Sequence, residues 1–185
     1  MGEPGTKEPL TLAELEASAG VRTGRKHILS ILVENKPGVL TRIAGLFARR
    51  GFNIDTLTVG PTDDDDVSRV TLTVDGAVHP IDQVTKQLHK LINVLKIRDL
   101  EPDESVAREL ALFKIAVDGP QRAEAMQICE IFRGKVVDVT RRSVILEVTG
   151  TTDKVEAFER MVRPFGLIEM ARTGEIAISR GRAET

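Results

Sequence analysis

The chain has 185 residues, 41% of them hydrophobic and 29% charged, with a net charge of −2. That length holds one compact domain or two small ones. The near-neutral charge without a basic block argues against a nucleic-acid partner, and with Trp and Tyr both absent there is no stacking platform for bases.

Cys129 is the single cysteine, so no intrachain disulfide or cysteine metal cluster can form. It falls among apolar residues of a predicted helix and is expected as a small core residue. No apolar run nears membrane-spanning length, and residues 1–24 have neither signal-peptide nor transit-peptide character. The reading is therefore a cytoplasmic protein with no membrane partner.

Residues 1–25 read as a flexible tail, with a short helix conceivable over 10–19. Alternation predicts a strand over 27–33, with Leu29, Ile31 and Val33 on one face and Ile28, Ser30 and Leu32 on the other. It turns through Asn35-Lys36-Pro37-Gly38 into an amphipathic helix over 38–50. The expected buried stripe is Leu40, Ile43, Ala44 and Phe47, with Gly51 as a left-handed cap. A second strand is expected over 53–59 and a third over 67–74, joined through Pro61 and the run Asp63–Asp66. Without a glycine at calcium-loop spacing, those aspartates read as a solvated hairpin tip. A helix over 80–93 places Ile81, Val84, Leu88, Leu91 and Ile92 inward, and a strand over 94–100 follows.

The order β-α-β-β-α-β then repeats. A strand is expected over 110–117, a helix over 120–133 opened by Pro120, and a hairpin pair over 135–139 and 143–149. A helix over 152–162 carries the stripe Val155, Phe158, Met161 and Val162, and 166–173 is the last strand. The predicted fold is α+β: two tandem ferredoxin-like βαββαβ sandwiches, each an antiparallel sheet with both helices on one face. The expected domains are 26–101 and 107–181, joined by a Pro- and acid-containing linker at 102–106 and closed by a tail at 182–185.

In such a unit the first two strands run parallel with another strand between them. Asn35 leaves one end of the first strand, and Asn53 starts the second at the opposite end, a helix of roughly 20 Å away. One chain cannot bring both to one small ligand. A two-fold partner pairing along the edge of the second strand can, and it also covers a bare sheet edge. A helix start with open N–H groups attracts a carboxylate, and Val39, Leu40 and Ile43 place apolar surface beside it. The bland alternative is an ordinary turn and strand start.

The segments Leu32-Val-Glu-Asn-Lys-Pro-Gly-Val-Leu and Leu46-Phe-Ala-Arg-Arg-Gly-Phe-Asn-Ile resemble an ACT domain, a small-molecule-sensing module. The run Arg49-Arg-Gly-Phe-Asn-Ile-Asp-Thr-Leu-Thr-Val-Gly-Pro-Thr is more specific. With Lys86-Gln-Leu-His-Lys-Leu-Ile-Asn-Val, Arg108-Glu-Leu-Ala-Leu, Ile131-Phe-Arg-Gly-Lys-Val-Val-Asp-Val and Ser179-Arg-Gly, it resembles the regulatory small subunits of acetolactate (acetohydroxyacid) synthase over residues 27–181.

The resemblance implies a non-catalytic homodimer, joined through its ACT domains, that activates a large catalytic subunit in branched-chain amino-acid biosynthesis. It also implies feedback inhibition by valine or another branched-chain amino acid at the ACT dimer interface. The implied effector residues are Asn35, Lys36, Pro37, Gly38, Val39, Leu40, Asn53 and Ile54. Thiamine diphosphate, Mg and FAD are expected in the large subunit, with no cofactor or metal in this chain.

The C-terminal half resembles that subunit's ACT-like domain, related in fold to a nickel-sensing domain. Its ligands do not suit nickel: no His follows His89 and Cys129 stands alone. Two rivals carry other functions. An acylphosphatase shares the fold, but its Gly-rich phosphate cradle is missing and Arg42 lies a turn inside the helix. A free-standing amino-acid sensor would act on another enzyme.

Overall fold

The structure is a computed structural model that describes residues 26–75 and 80–182. The expected N-terminal tail with its short helix, His79 and the chain beyond Arg182 lie outside those residues. Strand β1 (Lys26–Glu34), helix α1 (Val39–Arg50), strands β2 (Thr56–Pro61) and β3 (Val67–Asp75), helix α2 (Ile81–Leu88) and strand β4 (Val94–Leu100) form the first sandwich. The second comprises β5 (Ser105–Ala116), α3 (Gly119–Ile131), β6 (Lys135–Val139), β7 (Ser143–Gly150), α4 (Thr152–Val162) and β8 (Leu167–Arg172). Both sheets are antiparallel, in the orders β2-β3-β1-β4 and β6-β7-β5-β8. The two tandem ferredoxin-like sandwiches predicted from the periodicity are therefore present.

Each sheet is apolar on its helix-facing side. Leu29, Ile31, Val70 and Leu72 pack with Ile43, Phe47, Val84 and Leu88 in one core. Phe113, Ile115, Leu146 and Phe158 form the other, with Cys129 buried among them as expected. Each such side chain contributes roughly 1.5–3 kcal/mol on burial. Phe158 stands edge-on to Phe113 and Phe132, with ring centroids 5.1 and 5.3 Å apart. Burial pushes the Cys129 thiol up from its ordinary range, reinforced by the Glu130 charge, so it stays protonated.

The helix stripes differ from expectation in phase. Val39 and Leu46 join Ile43 and Phe47 inside, while Leu40 is 42% exposed and Ala44 is exposed. Gly38 has φ of 85° and caps the helix, which makes Val39 its first residue and turns Leu40 outward. Ile92 is likewise exposed, because α2 ends at Leu88 and the chain continues through tight turns to Val94. Met161 also faces outward, leaving Val155, Phe158 and Val162 as the buried stripe of α4.

The strand expected at 110–117 begins at Ser105, so the end of the expected linker belongs to β5. A further strand, β9 (Ile176–Ser179), pairs with Ser105–Arg108 of β5 in register. This two-stranded ribbon and the connection leading into it tie the sandwiches together: Arg98 Nη1 of β4 donates to Ser179 Oγ at 2.9 Å, and Thr58 Oγ1 of β2 donates to the Thr173 carbonyl, between β8 and β9, at 3.0 Å. Accordingly Ser30, Thr71 and Thr73, on the face of the first sheet away from its helices, are also buried.

Candidate functional site

The Asn35–Gly38 turn hangs from the β2–β3 hairpin. Asn35 N–H donates to the Asp66 carbonyl at 2.7 Å, and Asn35 Nδ2 to the Asp65 carbonyl at 3.0 Å. The aspartate run is exposed at the hairpin tip as expected, and its backbone also serves as the anchor of this turn. Lys36 N–H returns to the Glu34 carbonyl at 2.9 Å, and Val39 N–H to the Lys36 carbonyl at 3.4 Å. Pro37 supplies the fixed φ of the turn, and Gly38 the left-handed one.

The first intrahelical bond of α1 runs from Arg42 N–H to the Gly38 carbonyl at 3.0 Å. Helix geometry leaves the amides of Leu40 and Thr41 without an intrahelical acceptor, and a glycine cap has no side chain to offer one. A β-carbon built on Gly38 would meet nothing within 4 Å. Asn35, Lys36, Pro37, Gly38 and Leu40 are exposed around this spot, while Val39 is 6% exposed and sits in the core. Val39 therefore supports the turn from below, and Leu40 is the outward apolar neighbour.

Asn53 and Ile54 lie at the opposite end of α1. Gly51 closes the helix with φ of 68°, and Phe52 folds back, its N–H on the Phe47 carbonyl at 3.0 Å. The Phe47 and Phe52 rings meet edge-on at 5.8 Å. Asn53 is exposed and Ile54 half-buried. The expected strand over 53–59 starts only at Thr56, because Asn53 Nδ2 donates to Asp55 Oδ1 at 2.8 Å and bends the segment before β2. Register gives the separation: Glu34 lies opposite Val67 and Thr56 opposite Thr73, six residues or roughly 20 Å apart along β3. The structure brings Asn35 through Leu40 together within one chain and keeps Asn53-Ile54 apart from them.

A polar network beside the turn escaped the sequence reading. Glu34 accepts from Asn93 Nδ2 at 2.5 Å, Lys36 Nζ lies 3.2 Å from its other oxygen, and Arg42 Nη1 donates to Asn93 Oδ1 at 2.9 Å. The Asn93 amide, then Lys36, holds the Glu34 carboxyl below its ordinary range. Lys36 and Arg42 are thus already engaged. Nothing in the local pattern joins Glu34 to Asn93, which is 59 positions away. Among the described residues no cluster of His, Cys, Asp and Glu could hold a metal ion. None of their helices is long and apolar enough to cross a membrane.

Comparison with known proteins places this geometry in a family. Residues 29–96 match the model of the AHAS small subunit-like ACT domain, and residues 108–181 that of the small subunit of acetolactate synthase. The acetolactate synthase small subunit of Mycolicibacterium smegmatis is 50% identical over 155 residues, covering 84% of this chain and 91% of the relative. That of Mycobacterium bovis is 48% identical over 157 residues, covering 85% and 94%. The crystal structure of the acetolactate synthase small subunit from Thermotoga maritima superposes with a TM-score of 0.79 at 43% identity, covering 86% of this chain and 99% of that one. With both sandwiches matched in order, the chain belongs to the acetolactate synthase small-subunit family.

Proposed function

We propose that this chain is the non-catalytic, cytoplasmic regulatory subunit of an acetolactate synthase. It activates a large subunit that carries the thiamine diphosphate, Mg and FAD, and it confers feedback inhibition by valine or another branched-chain amino acid. In this reading the ACT domain, residues 26–101, pairs with a second copy along β2, an edge strand. Each of two sites takes Asn35, Lys36, Pro37, Gly38, Val39 and Leu40 from one chain and Asn53 and Ile54 from the other.

The observation that carries the reading is the Gly38 turn, an exposed helix start with open space around it and Leu40 turned outward. The effector carboxylate meets the first-turn amides and the Asn35 amide, and its branched side chain meets Leu40 and the partner's Ile54. Inhibition follows from preferential binding to the dimer conformation that does not support the large subunit, since equal affinity for both conformations shifts nothing.

The test is the holoenzyme assayed with and without valine, using wild type and Gly38→Asp. The new carboxylate opposes that of the effector, so inhibition is lost while activation of the large subunit persists. Normal inhibition of that variant by valine overturns the site. Calorimetry with valine, leucine and isoleucine then ranks the effectors.

A further inference from the structure

A cleft of about 330 Å³ lies where the outer face of β2–β3 meets the β5–β9 ribbon, on the side of the sheet away from α1. Its size falls in the range of small-molecule pockets, roughly 300–1,000 Å³. Pro61, Val106, Ile176 and Ile178 give it apolar walls, and Arg69 and Arg108 stand among them. Register explains the assembly. Arg69 lies opposite Gly60, which leaves room above the guanidinium, while Arg108 pairs with Ile176 and Val106 with Ile178 across the ribbon.

Among the described residues neither guanidinium has an ion-pair partner. Arg69 Nη1 donates to Ser30 Oγ at 2.8 Å, and Ser30 is fully buried, so the head group is held in place. Arg108 Nη1 donates to the Ala107 carbonyl at 2.6 Å. Each arginine has five N–H donors in a planar fork, so most remain available. Two cationic forks with apolar walls complement a small anion that has an aliphatic body. Among the described residues no aspartate or glutamate lines the cleft, so the ammonium of an amino acid finds no counter-charge from them.

We propose that this cleft binds an aliphatic 2-oxo acid of about four to six carbons. The two guanidiniums share its carboxylate and 2-oxo oxygens, and Ile176 and Ile178 cover its hydrocarbon end. Inorganic phosphate would leave the apolar walls unused, and a branched-chain amino acid would bring an unmet positive charge. The ligand bridges β2 of one sandwich and β9 of the other, so it clamps the joint between them.

Calorimetry on the full chain tests this, with 3-methyl-2-oxobutanoate, L-valine and inorganic phosphate as separate probes. The oxo acid binds wild type and loses at least about tenfold in affinity in Arg69→Gln and in Arg108→Gln. Arg108 is exposed, so its variant retains the fold even if loss of the Ser30 bond disturbs Arg69→Gln. Ile178→Asp adds a carboxylate to the wall and weakens oxo-acid binding to a similar degree. Gly38→Asp leaves it unchanged, whatever that variant does to valine. Four results overturn the proposal: no oxo-acid binding to wild type, full affinity in Arg108→Gln, loss in Gly38→Asp, or phosphate binding as tightly as the oxo acid. Because valine is measured on the same samples, failure here is distinct from failure of the effector site.

Discussion

The side-chain amide of Asn35 donates to the Asp65 carbonyl at 3.0 Å, while its backbone N–H donates to Asp66. The turn before α1 is thus fixed to the tip of the β2–β3 hairpin, an element 30 positions later in the chain. Asn35→Ala removes the side-chain bond and keeps the backbone one, at a cost of about 0.5–1.5 kcal/mol in urea unfolding. Valine affinity measured by calorimetry falls with it, since the turn loses an anchor and, at the proposed site, a ligand contact. Asp65→Ala leaves stability and affinity nearly unchanged, because the acceptor is a backbone carbonyl.

Gly38 combines φ of 85° with open space for a side chain. The penalty of substitution therefore lies in the backbone and not in collision. Gly38→Ala costs about 1–2 kcal/mol of stability, and Gly38→Asn costs less because Asn tolerates the left-handed region. Gly38→Asp and Gly38→Asn share shape, so their difference isolates the charge. Valine binds the Asp variant at least about tenfold more weakly than the Asn variant, while the two unfold at similar denaturant concentrations.

Much of this arrangement was legible in the sequence, because alternation and helical periodicity are local. Leu29, Ile31 and Val33, or Val155, Phe158 and Val162, declare their buried face within a few residues. Leu40 did not, because the phase of α1 is set by one left-handed glycine and not by the apolar pattern. Asn53 read as the start of a strand, and only its bond to Asp55 shows the chain bending there. The four-residue strand β9 is too short to signal itself and exists through pairing with Ser105–Arg108, about seventy positions earlier. Arg69 and Arg108 gain meaning from that same distant pairing. The candidate effector residues were thus readable one turn at a time, and their supports were not.

Glu34 ties the end of β1 to Asn93 and Lys36. Its carboxyl is held below the ordinary value, first by the Asn93 amide and then by Lys36. A depressed folded pKa gives stability that is present above the unfolded value and lost as pH falls through the folded one. The Tm advantage of wild type over Glu34→Gln is therefore full at neutral pH and shrinks as pH drops below the ordinary glutamate range. The site is open to solvent, so added salt reduces that advantage. An advantage that grew on acidification would contradict the assignment.

Gly174 sits in the joint between the sandwiches with φ of 81°, and a β-carbon there would lie 3.0 Å from Thr58 Oγ1 and 3.1 Å from Thr56 Cβ. Gly174→Ala adds left-handed strain to this crowding, at a cost of about 1–3 kcal/mol. The Thr58 bond to the Thr173 carbonyl is the contact most exposed to the change. Hydrogen exchange at the Thr56–Pro61 and Ile176–Ser179 strands rises, while the helix-backed cores around Phe47 and Phe158 keep their protection.

The roughly 20 Å between the Asn35 and Asn53 ends of one chain makes the proposed site testable by complementation. Gly38→Asp damages only the turn contribution, and Asn53→Ala only the contribution from the chain before β2. Each homodimer then has two defective sites. In a mixed dimer one site collects both lesions, whereas the other takes an intact turn from the Asn53→Ala chain and an intact Asn53 from the Gly38→Asp chain. Subunit exchange at equal amounts makes half the dimers mixed, so about a quarter of all sites are restored. Valine binding, weakened in either variant alone, returns with wild-type affinity at that stoichiometry after co-refolding. If each site were built within one chain, mixing would restore none of it, and no change in dimer content measured by sedimentation could account for that silence.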